Sequence, residues 1–180
     1  MVRTIIVACF VLLLAVPALA QDDYPRIQTS MGYANLSFPD LVTGVRGHHS
    51  GFANSTSFNL TKTWGLDNCM GIYGVGTGVS LIADFFGGKV MYGGPRAVPY
   101  ALAGIGVGYF TESSSQGYGS LSSFATRIGA GLDIPINDSM AWKVEVSRMG
   151  FHLNTSGRPS GPSWTNGTNV SAGIVFTIAQ

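Results

Sequence analysis

The residue types and spacing that come nearest to chemistry are His48, His49 and Ser50. An imidazole can take a proton from a serine hydroxyl and so make a nucleophile. His48 and Ser50 stand two apart, a spacing that puts both on one face of a strand. No carboxylate lies nearby in sequence to orient the imidazole, and the pair falls at an expected loop-to-strand junction. The expectation is therefore a polar loop end with no catalytic residue. A metal site is not expected either. Adjacent strand residues such as His48 and His49 face opposite ways, no third ligand is evident, and His152 stands alone beside a loop.

Gly104-x-Gly106-x-Gly108 resembles a phosphate loop only superficially. It lacks a following helix and the Lys-Ser/Thr that a nucleotide site needs. It reads instead as a strand face kept small, and no cofactor is expected. Asn-x-Ser/Thr triplets begin at Asn35, Asn54, Asn59, Asn137, Asn154, Asn166 and Asn169. Several fall inside expected strands, where a glycan has no room, and an Asn-, Ser- and Thr-rich chain produces them by chance. Beyond residue 20, Cys69 is the one remaining cysteine. No internal disulfide can form, and a small packed residue is expected there rather than a reactive thiol.

The chemistry-bearing residues left over are charges, and strands must position them. In 122–134 the even positions hold Phe124, Ile128, Leu132 and Ile134, while the odd ones hold Arg127, Gly129, Gly131 and Asp133. In 140–147, Met140, Trp142, Val144 and Val146 alternate with Ala141, Lys143, Glu145 and Ser147. In 169–178, Val170, Ala172, Ile174, Phe176 and Ile178 alternate with Asn169, Ser171, Gly173, Val175 and Thr177. Period-two alternation means strands with one greasy face and one small or charged face. Five further strands are expected at 26–37, 51–62, 66–76, 79–93 and 97–111. Arg127, Asp133, Lys143 and Glu145 then point to one side, where they can pair. Asp84 and Lys89 have opposite parity; a bulge at Gly87-Gly88 is expected to turn both the same way.

Composition supports a lipid-facing surface. Of 180 residues, 11% are charged and 46% hydrophobic, against about 25% charged in ordinary soluble domains. The net charge of +1 has no basic cluster behind it, so nucleic acid is not an expected partner. Met1-Val2-Arg3, the apolar run Ile5 to Val16 and Ala18-Leu19-Ala20 have the three parts of a secretory signal peptide. Residues 1–20 are expected to be cleaved, leaving 21–180 as one formally neutral domain.

After residue 20 no run is long enough for a spanning helix, but most expected strands reach about the nine to eleven residues that a tilted membrane strand needs. Ordinary strands average about five to six. Short turns near 63–65, 94–96 and 135–138 alternate with longer polar loops at 38–50, 112–121 and 153–168 and a tight one at 76–78. Short periplasmic turns and longer external loops are the asymmetry of an outer-membrane barrel. An open sheet in lipid would leave unpaired edge N–H and C=O groups, at several kcal/mol each. The expected fold is all-β: a closed antiparallel up-and-down eight-stranded transmembrane β-barrel. Tyr33, Phe52, Tyr109-Phe110, Trp142 and Phe151 fall near expected strand ends, as aromatic belts would.

Thr63-Trp64-Gly65-Leu66, the Gly-rich 101–109, Ile128 to Asp138 and Ser171 to Phe176 resemble the small outer-membrane β-barrel family, the opacity-type and outer-membrane-protein-A-like eight-stranded domains. The resemblance covers the mature chain. It implies an integral protein of the Gram-negative cell outer membrane, not an enzyme, with a structural or surface-interaction role through external loops. Outer-membrane lipid and the barrel-insertion machinery are the implied partners, with an extracellular ligand at the loops, and the protein is expected to be a monomer. Many family members end on an aromatic residue, whereas this chain ends Thr177-Ile178-Ala179-Gln180. Phe38, Arg46, Tyr118, Arg158 and Trp164 are loop residues suited to contacts. The alternatives are a narrow pore, a soluble lipocalin-like binder, and an enzyme of outer-leaflet lipid, since a lipid A deacylase uses a His-x-Ser pair on a strand.

Overall fold

The computed structural model describes residues 24–39, 45–74, 79–94, 96–114, 117–153 and 164–179. Eight strands follow in chain order: β1 (Ile27–Pro39), β2 (Arg46–Asn59), β3 (Trp64–Tyr73), β4 (Val79–Met91), β5 (Val98–Ser114), β6 (Gly117–Asn137), β7 (Met140–His152) and β8 (Trp164–Ala179). Each pairs antiparallel with its sequence neighbour, and β1 closes on β8 from Gln28↔Thr177 to Ser37↔Thr168. Closure leaves no edge, which is the condition for placing strands in lipid. The signal-peptide expectation at 1–20 lies outside the described residues.

Both described termini lie at the end that carries the short turns. Arg26 N donates to Ala179 O (2.8 Å), and Tyr24 Oη donates to Leu60 O (2.8 Å) in the β2–β3 turn. Within that turn, Thr61 Oγ1 accepts from Trp64 N (2.9 Å), and in the β6–β7 turn Asn137 Oδ1 accepts from Ser139 N (2.9 Å). Such side-chain acceptors satisfy the turn's free N–H groups and fix the register beyond it.

Alternation sorts the side chains as expected on β5 to β8. Ile105, Val107, Ile128, Val144, Val146 and Val170 stand exposed on the outer wall. Arg127, Asp133, Lys143, Glu145, Ser147 and Asn169 are buried inside. Three expectations need correction. The β4 registers with β3 and β5 run without a break through Gly87-Gly88, so there is no bulge. Lys89 is buried inside, while Asp84 stays on the outer wall, where Asn68 Nδ2 donates to its Oδ1 (2.9 Å).

The second correction concerns length. β2 starts at Arg46, β5 and β6 run to Ser114 and from Gly117, and β8 starts at Trp164. Residues 38–39 and 46–50, 112–114 and 117–121, and 164–168 are therefore strand rather than loop. Beyond the lipid the outer face turns polar (His48, Ser50, Ser122), so hydropathy alternation fades although backbone pairing continues. The third concerns aromatics. Tyr33, Phe52, Tyr109 and Trp142 do face outward, 46% to 73% exposed, but Phe110 and Phe151 have the opposite parity and are buried inside.

Candidate functional site

The lumen is filled in two layers. On the side of the short turns lies a neutral set of three cations and three carboxylates. Lys89 Nζ is 3.3 Å from Asp133 Oδ2, and Arg127 Nη1 is 3.3 Å from Asp67 Oδ2. Arg127 Nη2 donates to Glu145 Oε1, and Lys143 Nζ is 3.8 Å from Glu145 Oε2. Hydroxyls complete the set. Tyr100 donates to Glu145 Oε2 (3.1 Å), Ser57 to Asp67 Oδ1 (2.7 Å), and Ser55 accepts from Lys143 (2.9 Å). Buried charges are tolerable only when paired and hydrogen-bonded in this way.

Local sequence explains the reach of Tyr100. Its strand partner is Gly131, and a Cβ there would sit 2.3 Å from the phenol. The missing side chain lets the ring lie flat on β6 and carry its hydroxyl to Glu145. The same ring passes under Lys89, whose Nζ is 4.2 Å from the centroid, within cation–π range. Asp67, Tyr100, Ser55 and Ser57 are the members of this set that sequence reasoning missed. Asp67 shares parity with Cys69 on β3, and both side chains are buried inside. Parity alone would have found it.

Towards the opposite end the lumen is apolar. Leu36, Phe38, Tyr73, Leu81, Phe85, Phe110, Met149, Phe151 and Leu153 form one buried cluster. Phe151 is its hub, with ring centroids 5.4 Å from Phe38, 5.1 Å from Phe110 and 6.4 Å from Phe85. Gly108 makes room, since a Cβ there would lie 2.7 Å from the Phe151 ring. The glycine run of β5 thus serves packing, as its sequence implied. Beside the ion set a cavity of about 20 Å³ is lined by Ser55, Arg127, Lys143, Glu145 and Asn169. That is room for about one water, and Arg127 Nε and Asn169 Oδ1 lack a protein partner.

His48 and Ser50 lie together on the outer face of β2, both exposed. They are held by β1 rather than by each other: His48 Nδ1 is 3.2 Å from Asn35 Oδ1, and Ser50 Oγ is 2.7 Å from Tyr33 Oη. Among the described residues no carboxylate bonds the imidazole, and no group of three or more His, Cys, Asp and Glu is placed to hold a metal. Of the suggested contact residues, Phe38 is buried inside, so it is not a surface contact. Arg46 is exposed and its Nη2 reaches Asn166 O (3.5 Å). Trp164 is exposed, edge-on to His152 (5.2 Å) and Phe124 (6.2 Å). Tyr118 falls within β6, and Arg158 lies outside the described residues.

A closed eight-strand barrel with a greasy outer wall and a charge-paired interior narrows the family. The model of the outer membrane protein beta-barrel domain matches residues 6–176. The chain belongs to that family. No curated protein sequence matches it. Among solved structures this outer-membrane barrel is similar to Neisserial surface protein A, at TM-score 0.65 and 11% identity, covering 84% of this chain and 96% of that one. It is similar to Ail, the attachment invasion locus protein of Yersinia pestis, at TM-score 0.57 and 18% identity, covering 83% and 97%. It also resembles the outer membrane enzyme PagL, at TM-score 0.50 and 20% identity, covering 83% and 99%. At these identities the likeness is one of fold.

Proposed function

We propose that this barrel is a non-enzymatic, non-conducting anchor in the Gram-negative outer membrane whose working surface is its external end. The observation that carries this reading is the filled lumen. A neutral ion network and an aromatic plug occupy it in series, and the cavity beside the network is about one water in size. With the interior spent on stability, interaction falls to the external strand ends and the segments joining them. Arg46, His48 and Trp164 are exposed there. The likeness to Ail, named for attachment and invasion, supports a surface role.

The same reading includes export by residues 1–20, insertion by the barrel-assembly machinery and function as a monomer. Ser50 bonded to Tyr33 and His48 bonded to Asn35 support leaving lipid chemistry out. A His48→Ala chain is expected to leave lipid A unmodified to the same degree as the parent.

Planar-bilayer recording of the purified, detergent-refolded protein tests the reading. No unitary current steps are expected. Reproducible steps would favour the narrow-pore alternative. Solubility of the mature chain without detergent would favour a lipocalin-like binder.

A further inference from the structure

The outer wall is not uniform around the barrel. On β5 exposed Ala101, Ala103, Ile105, Val107 and Tyr109 continue the apolar strip well up the strand. On β7 the strip runs only from Met140 to Val146, and the next outward residue is Arg148. That is shorter than the about nine to eleven residues a membrane strand needs. On β8 the strip keeps a full span, from Ile178 to Val170, and ends at the register of Val146, with Thr168 and Asn166 above it and exposed Trp164 beyond. The registers put Arg148 directly beside Thr168, and Gly150 beside both Asn166 and Thr126.

Beside this boundary Gly150 is buried under its neighbours' side chains: a Cβ there would meet Thr126 Oγ1 at 2.9 Å, Asn166 Oδ1 at 3.1 Å and Trp164 Cε3 at 3.5 Å. The groups that close over this point are therefore two polar side chains and the Trp164 ring. Arg148 lies at one side, and Arg46 reaches over Pro39 from β2 to Asn166 O (3.5 Å) at the other. Among the described side chains no carboxylate shares this face; Asp84, on the outer wall, belongs to β4. The Arg148 side chain has no hydrogen-bonding or ionic partner among the described residues. A short apolar strip draws headgroups down the wall, and a long guanidinium side chain reaches up to meet them. Guanidinium and phosphate match as a charge-assisted, two-point hydrogen-bonding pair.

We propose that Arg148, with Thr126, Asn166 and Thr168 and with Arg46 at the rim, forms a binding site for the phosphate headgroup of an anionic outer-leaflet lipid. This deepens the outer-membrane reading above and rests on it. The lipid would lie with its chains against Ile128, Val146 and Val170, which are 64%, 51% and 48% exposed. It would complete the hydrophobic thickness that β7 lacks.

The test uses the mature barrel reconstituted in vesicles of equal phosphatidylglycerol and phosphatidylcholine, extracted in mild detergent and weighed by native mass spectrometry. Retained phosphatidylglycerol is expected to exceed phosphatidylcholine by about fivefold, the effect of one basic residue near a surface. Arg148→Gln should bring the ratio near one, Arg148→Lys should keep part of it, and Arg96→Gln, at a short-turn end, should leave it unchanged. An unchanged ratio in Arg148→Gln, or an equal loss in Arg96→Gln, would overturn the site. So would displacement of the lipid by millimolar inorganic phosphate, which would assign the site to a free anion. Each chain is also run unboiled on a denaturing gel. Absence of a heat-modifiable band in the parent would instead overturn the membrane reading, and this site with it.

Discussion

Arg127 and Glu145 are bonded to each other on the diagonal between neighbouring strands although neither is the other's strand partner. β6 and β7 pair Arg127 with Met149 and Glu145 with Gly131, yet the Arg127 guanidinium reaches down to the carboxylate, with both side chains at most 4% exposed. The pair therefore ties two levels of the barrel together, and through Asp67, Lys143 and Tyr100 it ties in β3 and β5 as well.

Removing one partner from such a set leaves an uncompensated buried charge, at about 3–5 kcal/mol. Glu145→Gln should lower the barrel's stability by that amount in reversible urea unfolding from vesicles. A Lys143→Met, Glu145→Gln double variant should recover much of the loss, because Arg127–Asp67 and Lys89–Asp133 then remain paired and coupled neighbours are not additive. Equal stability of Glu145→Gln and parent would show that the network does not hold the fold.

The plug is a separate stability element. Phe151→Ala removes the hub of the aromatic cluster, and a core Phe→Ala change costs about 3–5 kcal/mol. The barrel should still carry no current in planar bilayers, because the ion network below it remains. Current in this variant but not in the parent would identify the plug as a gate.

Gly131 is required by the size of Tyr100. Gly131→Val should push the phenol off β6 and break its bond to Glu145, at about 1–3 kcal/mol for overpacking. Urea unfolding of this variant alone and combined with Tyr100→Phe reads the coupling. Additive losses would mean that Gly131 does not act through Tyr100.

Asp84 is a charge on the lipid-facing wall. Asp84→Asn removes the charge while its amide oxygen can still accept from Asn68. Stability should rise by up to about 1 kcal/mol, since lipid-face acids cost less than the roughly 2–4 kcal/mol of a midplane Arg or Lys. A fall in stability would mean that the carboxylate is used, and would point to a partner on β4.

Parity made most of this architecture legible before any coordinates. It placed Arg127, Asp133, Lys143 and Glu145 inside, and Trp142, Val144 and Val146 outside. It failed where hydropathy and backbone pairing part company. Above the lipid both faces of β2 and β8 carry polar residues, so strand and loop read alike there. It failed also where a residue was judged by type instead of parity. An aromatic near a strand end suggests a belt residue, yet the odd position of Phe151 on β7 matches Lys143 and Glu145. The opposite parity of Asp84 and Lys89 suggests a bulge at Gly87-Gly88 that turns both inward. The strand keeps its register and bonds the carboxylate to Asn68 instead. The boundary around Arg148 was hidden for a third reason: it needs the neighbours of β7 on both sides, which only the registers supply.

The central claim is a closed transmembrane barrel in the outer membrane, and migration of the outer-membrane fraction on a denaturing gel, boiled and unboiled, tests it most directly. Backbone bonds that are all internal resist detergent until heated, so the account predicts two positions, with the unboiled form displaced from the boiled one. A single position in both lanes, with the protein recovered from the soluble periplasmic fraction, would contradict it.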